Sequence, residues 1–148
     1  MSPTRPNILY LHSHDTGRAI EPYGYPAATP NLLALADEGV AFRQCFCANP
    51  TCSPSRATLL TGQYPHTNGM TGLAHRGFSL NDIRHHLVHH LRDEAGYRSA
   101  LVGTQHVHRD ATKIGYDEVL ETPPTPDRPD DHYAPIGRAA AGWLGDAP

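Results

Sequence analysis

The sequence predicts an α/β sandwich. Three observations predict it. Apolar runs at 7–11 and 40–47, each bounded by polar or turn residues, read as buried strands; helix-period segments at 29–39, 52–62 and 81–95 alternate with them; and a third apolar run at 98–103 follows the last helix. Strand, helix, strand, helix, helix, strand is an order in which helices cover a mostly parallel sheet.

Residues 7–11 (Asn-Ile-Leu-Tyr-Leu) end in polar residues and Gly17, so this strand delivers His12, Ser13, His14 and Asp15 to a loop. Open α/β sheets place their chemistry at such strand ends. Residues 21–30, rich in Pro, Gly and Tyr, are a loop. Thr29-Pro30 then starts a helix through Leu32, Leu33, Leu35 and Ala36, with Thr29 as N-cap and Gly39 as stop. In the 40–47 strand, Cys45 and Cys47 lie two apart on one face and are expected in the core, where free cysteines usually sit.

Pro54 suits the first position of the next helix, because its φ is fixed and its missing N–H costs nothing there. Residue 52 then lies just ahead of the helix, where unpaired N–H groups and the positive dipole end attract an anion. Arg56, one turn on, reaches back beside it, and Gly62 ends the helix. Residues 63–77 hold Pro65, Gly69, Gly72 and Gly77 and are expected to be irregular surface close to the site.

The 81–95 helix carries an apolar stripe of Ile83, Leu87, Val88 and Leu91 and stops at Gly96. His85, His86, His89 and His90 form two i,i+4 pairs on it. The glutamate of a zinc-binding H-E-x-x-H is absent, and a solvated histidine face is expected. After the 98–103 strand, Pro123, Pro124, Pro126 and the charged residues 127–131 form a connector. Residues 133–144 begin another helix around Ile136, Ala139, Ala140 and Trp143.

The 148 residues are 39% hydrophobic, enough for one core, and a formal charge of −3 makes no electrostatic case for nucleic acid. Residues 1–7 hold no apolar leader core and no run reaches membrane-span length, so no membrane partner and a cytoplasmic location are expected. The three cysteines form neither a disulfide framework nor a paired C-x-x-C zinc pattern, and a reducing compartment suits them.

Cys52-Ser53-Pro54-Ser55-Arg56, followed by Ala57-Thr58-Leu59-Leu60-Thr61-Gly62, is a C-x-P-x-R motif. Together with Thr29-Pro30-Asn31-Leu32, Glu38-Gly39-Val40-Ala41-Phe42, Tyr64-Pro65-His66 and Asn68-Gly69-Met70, in that order, it makes the chain resemble the sulfatase family. The similarity runs from Pro6 to Leu120 and looks closest to the N-sulfoglucosamine (heparan) sulfatase-like branch. It implies the alkaline-phosphatase-like superfold, with residues 1–120 as an amino-terminal part of the catalytic domain and 121–148 as a connector and an incomplete further helix. Members are several hundred residues long. The resemblance therefore implies that further metal ligands and sulfate-binding residues come from a missing carboxy-terminal segment or a second chain.

The resemblance also implies the site. Cys52 would be oxidised to formylglycine by a formylglycine-generating enzyme, and the hydrated aldehyde would attack a small-molecule or carbohydrate sulfate ester or sulfamate. A divalent metal beside position 52 and the Arg56 cation would stabilise the attacking alkoxide, and His106 would protonate the leaving alcohol or amine. The second gem-diol oxygen would then eliminate sulfate. The metal would be held by position 52, Asp15 and His14. The family has an Asp-Asp pair and calcium there; His14 offers imidazole nitrogen, which favours manganese, zinc or iron. Where the family has G-K-x-H, this chain reads Gly103-Thr104-Gln105-His106. His106 is kept, a positive charge is lost at Thr104, and Arg18, Arg109 or a missing segment would have to compensate. His108 is a rival to His106. Two other readings remain: a phosphodiesterase or phosphonate monoester hydrolase of the same superfold, and a truncated, non-catalytic fragment.

Overall fold

The computed structural model describes residues 5–122 and 133–146. They form a mixed α/β arrangement in two compact units, Met1–Phe46 and Cys47–Pro148. The expected 123–131 connector lies outside the described residues.

In the first unit a short 3-10 turn, Glu21–Tyr23, precedes helix α1, Pro30–Glu38. Thr29 stands at the N-cap of α1, but its side chain does not cap. Its hydroxyl accepts from the Glu21 N–H at 2.9 Å, and its own N–H donates to the Glu21 carboxylate at 3.1 Å. This reciprocal pair ties the loop to the helix start. Arg18 stacks over Tyr23, whose hydroxyl donates to the Phe42 carbonyl.

Two expected strands are corrected. Residues 7–11 and 40–47 have no strand pairing, and Ile8, Leu9, Leu11, Phe42 and Phe46 are exposed. Cys45 and Cys47 are exposed as well, so neither is a core residue. An extended run is held by a neighbour's N–H and C=O groups, and apolar alternation without such a ladder leaves the segment extended but unpaired. The only strand pairing among the described residues lies elsewhere.

The second unit opens with helix α2, Cys52–Thr61. It begins two residues earlier than expected. Thr51 is the N-cap, Cys52 is the first helical residue and Pro54 the third, still within the first turn where a missing N–H is harmless. Gly62 ends it as expected, in the left-handed conformation that a Cβ would strain, with its N–H bonded to the Thr58 carbonyl.

Residues 63–77 are not the irregular surface expected. They contain helix α3, Pro65–Asn68, and a 3-10 turn, Ala74–Arg76, and they bury Asn68, Met70 and Ala74. Met70 and Ala74 join Ala57 of α2 and Val107 in the core, with Leu60 and Leu80 packed against it. The glycines read as breakers, but Gly69 and Gly77 each end a helical turn that folds its neighbours inward. Asn68 pins this fold. Its amide donates to the Gln63 carbonyl at 2.8 Å and the Thr61 hydroxyl at 3.3 Å, and its carbonyl oxygen accepts from the Met70 N–H at 2.9 Å. Asn68→Ala leaves the buried Met70 N–H and the half-buried Gln63 carbonyl without this partner and is expected to cost about 2–4 kcal/mol. A shift of the urea midpoint without a change of slope checks it.

The 81–95 helix is broken at His86. A 3-10 turn, Ile83–His85, is followed by helix α4, Leu87–Ala95, with extended His86 as its N-cap. The imidazole Nδ1 of His86 accepts from the Val88 N–H at 3.2 Å, a capping role expected of Ser or Asp. The solvated histidine face is corrected accordingly. His86 is 1% exposed and His89 half-buried, its Nε2 2.8 Å from the Ile114 carbonyl; His85 and His90 are exposed.

Strand β1, Ala100–Val102, falls inside the expected 98–103 run and pairs in parallel with β2, Glu118–Leu120, placing Ala100 opposite Glu118 and Val102 opposite Leu120. The sequence reading did not identify β2. Helix α5, Ala134–Asp146, realises the expected final helix. Its Ile136 packs so closely on Gly103 that a Cβ there would lie 3.0 Å from the Ile136 Cδ1, and Trp143 donates to the Glu118 carboxylate at 3.3 Å. No helix among the described residues is long and apolar enough to cross a membrane.

Candidate active site

The sequence-derived candidates divide between the units. His14 and Asp15 belong to the first; Cys52, Arg56 and His106 belong to the second, and there the fold brings the three together.

The start of α2 sets the position of Cys52. Its neighbour Ser53 is buried, and the Ser53 hydroxyl accepts from the Ala74 N–H at 3.2 Å, fixing the first helical turn against the core loop. Cys52 itself is half-buried. Arg56, only 8% exposed, runs across to the loop after β1 and donates from Nη1 to the Thr104 carbonyl at 3.3 Å. A buried guanidinium is costly unless its donors are used. Here one donor ties the helix of Cys52 to the loop of His106, and no carboxylate neutralises the charge among the described residues.

That loop is built from within. The Gln105 side chain folds under it, its carbonyl oxygen accepting from the Val107 and His108 N–H groups and its amide donating to the His108 carbonyl. Val107 is fully buried and anchors the loop in the core. His106 is left between these anchors with φ 59°, a left-handed backbone. A ring nitrogen of His106 lies within 4.8 Å of Cys52 Sγ. His108 differs: its Nδ1 is engaged with the backbone of Asp110.

Only two non-glycine residues among the described ones have positive φ, Asp15 at 55° and His106 at 59°. Both are candidates picked from the sequence. A side chain in this region costs of order 1 kcal/mol and persists where the surroundings enforce it, a pattern that concentrates at functional sites. Asp15 is 87% exposed on its loop, and its Oδ2 is 3.0 Å from the His14 Nδ1.

The donors fit a metal in part. His14 Nδ1 and Asp15 Oδ2 are separated as two neighbouring ligands at about 2.1 Å from one ion would be. Nitrogen plus a single carboxylate suits manganese, zinc or iron better than calcium, which takes six to eight oxygens. Two donors do not complete a shell.

A cleft of about 260 Å³ opens between the start of α2, at Ser53, and the loop of His106. Ser53, Thr104, His106, His75, His108 and Arg109 are among its lining residues. Sequence reasoning missed Ser53 and Gln105, which position the site. Neither carries a signal by type, since each acts through a backbone group distant in sequence or on its own loop.

The sequence profile described as Sulfatase matches residues 6–138. The chain is similar to the N-acetylgalactosamine-6-sulfatase of Homo sapiens, 40% identical over 137 residues, covering 82% of this chain and 26% of that protein. It is similar to the N-sulphoglucosamine sulphohydrolase of Homo sapiens, 41% identical over 105 residues, covering 68% and 20%. It is also similar to an N-acetylglucosamine-6-O-sulfatase of Bacteroides thetaiotaomicron, 36% identical over 105 residues, covering 70% and 18%. The likeness thus extends beyond the N-sulfoglucosamine branch, and the chain spans about a quarter or less of the length of these relatives. No solved structure matches it.

Proposed function

Because this chain belongs to the sulfatase family, we propose that it carries the nucleophile-bearing part of a sulfuric ester hydrolase acting on hexosamine sulfates, with the nucleophile made from Cys52. The observation that carries this reading is the convergence of Cys52, His106 and Arg56: a ring nitrogen within 4.8 Å of Sγ, and a buried cation on the same helix tied to the His106 loop. The accompanying fold is the alkaline-phosphatase-like superfold, of which residues 1–120 form an amino-terminal part.

The residues have distinct duties. Arg56 holds a positive charge near position 52, where negative charge accumulates on a sulfuryl group during transfer. His106 is placed to give a proton to the departing oxygen or nitrogen of the sugar. Its left-handed backbone, held by Gln105 and Val107, keeps the ring there without reorganisation. His14 and Asp15 would hold a divalent metal, which when bound supplies Lewis-acid chemistry. Hydrated formylglycine at position 52 would supply an attacking oxygen that can later release sulfate.

Mass spectrometry of the tryptic peptide 44–56, after co-expression with a formylglycine-generating enzyme, tests this. An aldehyde at position 52 is expected. An intact thiol, under conditions that mature a control sulfatase, would sink the reading. The imidazole of His14 favours a second reading, a phosphodiesterase or phosphonate hydrolase, and faster turnover of a phosphate diester than of an aryl sulfate would select it.

A further inference from the structure

Of the five asparagines, Asn68 alone precedes a glycine; the others precede Ile8, Leu32, Pro50 and Asp82. An Asn-Gly pair is the linkage in which the following backbone nitrogen most readily attacks the side-chain amide carbon, because no Cβ obstructs the approach and the backbone bends freely to it. Asparagine is thermolabile for this reason. The fold cannot avoid the pair. Gly69 ends α3 at φ 87°, and a Cβ there would collide with the Asn81 side chain, so position 69 calls for glycine. Position 68 calls for an amide, since Asn68 both donates and accepts in its bonds to Thr61, Gln63 and Met70.

Those same bonds disarm the linkage while the turn is closed. The Gly69 N–H, whose nitrogen would attack, donates to the Pro65 carbonyl at 2.9 Å. Asn68 is 3% exposed, its amide is engaged at both ends, and its backbone carbonyl accepts from the Asn81 N–H at 2.8 Å. The side-chain carbon cannot swing onto the nitrogen until these bonds open. Helix α3 is a single turn, and short segments of this kind open locally at less cost than global unfolding.

We propose that Asn68-Gly69 is a deamidation site gated by the fold, silent in the closed turn and converted irreversibly when residues 63–70 open. In the step, the Gly69 nitrogen bonds to the Asn68 Cγ while the Cγ–Nδ2 bond breaks, and ammonia leaves with the proton that the nitrogen gives up. Water then opens the five-membered imide at either carbonyl, giving aspartate or isoaspartate. No electrons are transferred, and water is the only co-reactant. The closed turn rejects both products. Aspartate offers no donor to the Gln63 carbonyl or the Thr61 hydroxyl and puts a carboxylate where a neutral amide is buried, while isoaspartate inserts a methylene into the backbone of the turn. The effect reaches the start of α2, because Met70 and Ala74 share the core with Ala57, and the Ala74 N–H donates to the Ser53 hydroxyl. The proposal is independent of the chemistry at position 52.

Peptide mass spectrometry across the unfolding transition tests it. The 148-residue chain is held in mildly alkaline buffer, one sample native and one in urea above its midpoint, and the tryptic peptide 57–76 is followed over time for conversion of amide to acid. Conversion in urea is expected to run at least about tenfold faster than in the native sample, where it tracks the small population of the open turn. Asn68→Gln keeps an amide but disfavours the five-membered ring, and should remove the conversion in urea. When urea is withdrawn, converted chains should refold with a lower urea midpoint, and so should Asn68→Asp made directly. No conversion in urea, equal rates in the two samples, conversion that survives in Asn68→Gln, or a wild-type midpoint in Asn68→Asp overturns the proposal.

Discussion

Arg56→Ala is expected to lower hydrolysis of an aryl sulfate by the matured protein about 10²- to 10³-fold, the loss seen when one preorganised electrostatic partner of a transition state is removed. The same substitution should destabilise the second unit by about 1–3 kcal/mol, because the Thr104 carbonyl loses its donor in a part-buried setting. These effects have separate causes and separate readouts. Arg56→Lys keeps the charge but not the fork that spans from α2 to the His106 loop. It should recover much of the turnover and little of the stability if charge is what matters at position 52. Arg56 also belongs to the C-x-P-x-R motif, so peptide mass spectrometry must accompany the kinetics. A variant that carries the aldehyde at wild-type occupancy and still turns over at the wild-type rate would remove Arg56 from the site.

The site was more legible in the sequence than the fold around it. C-x-P-x-R is local: one helical turn sets the relation of Cys52 to Arg56, and the spacing alone expresses it. His106 was reachable through the Gly103-x-x-His106 pattern, though what distinguishes it from His108 is backbone strain and the Gln105 scaffold, neither of which spacing encodes. Strands were read less well. The runs at 7–11 and 40–47 have the composition of strands, but pairing depends on a neighbour, and the 98–103 run found one in Glu118–Leu120, a segment too short and too mixed to announce itself. The histidine face failed for a related reason. Periodicity placed His86 on a polar stripe, whereas the chain breaks there and turns the ring inward to cap α4.

Acidification should destabilise the second unit through that ring. His86 is 1% exposed and packs edge-on against Tyr116 at 5.6 Å, and its Nε2 has no hydrogen-bond partner among the described residues. Burial, with a smaller contribution from the neighbouring His89, pushes its pKa from 6.5 down to about 4. The direction of the linkage follows. Above pH 6.5 the imidazole is neutral in folded and unfolded chains, and stability is at its full value. Between 6.5 and about 4 the unfolded chain takes up a proton that the folded chain refuses, so stability falls with pH; below about 4 both states are charged and this loss stops. The span amounts to about 3 kcal/mol, on the order of 10 °C or more in Tm for a unit of this size. Asp82, Asp110 and Asp117 also have lowered pKa values, but they begin from 3.8, so their protonation belongs to a more acidic range. His86→Asn retains a side-chain acceptor for the Val88 N–H while removing the titrating ring. It should lower stability at neutral pH through the lost packing on Tyr116, yet flatten the dependence between 6.5 and 4. Urea midpoints measured at half-unit steps across that range check this, and a slope equally steep in His86→Asn would assign the acid sensitivity to other groups.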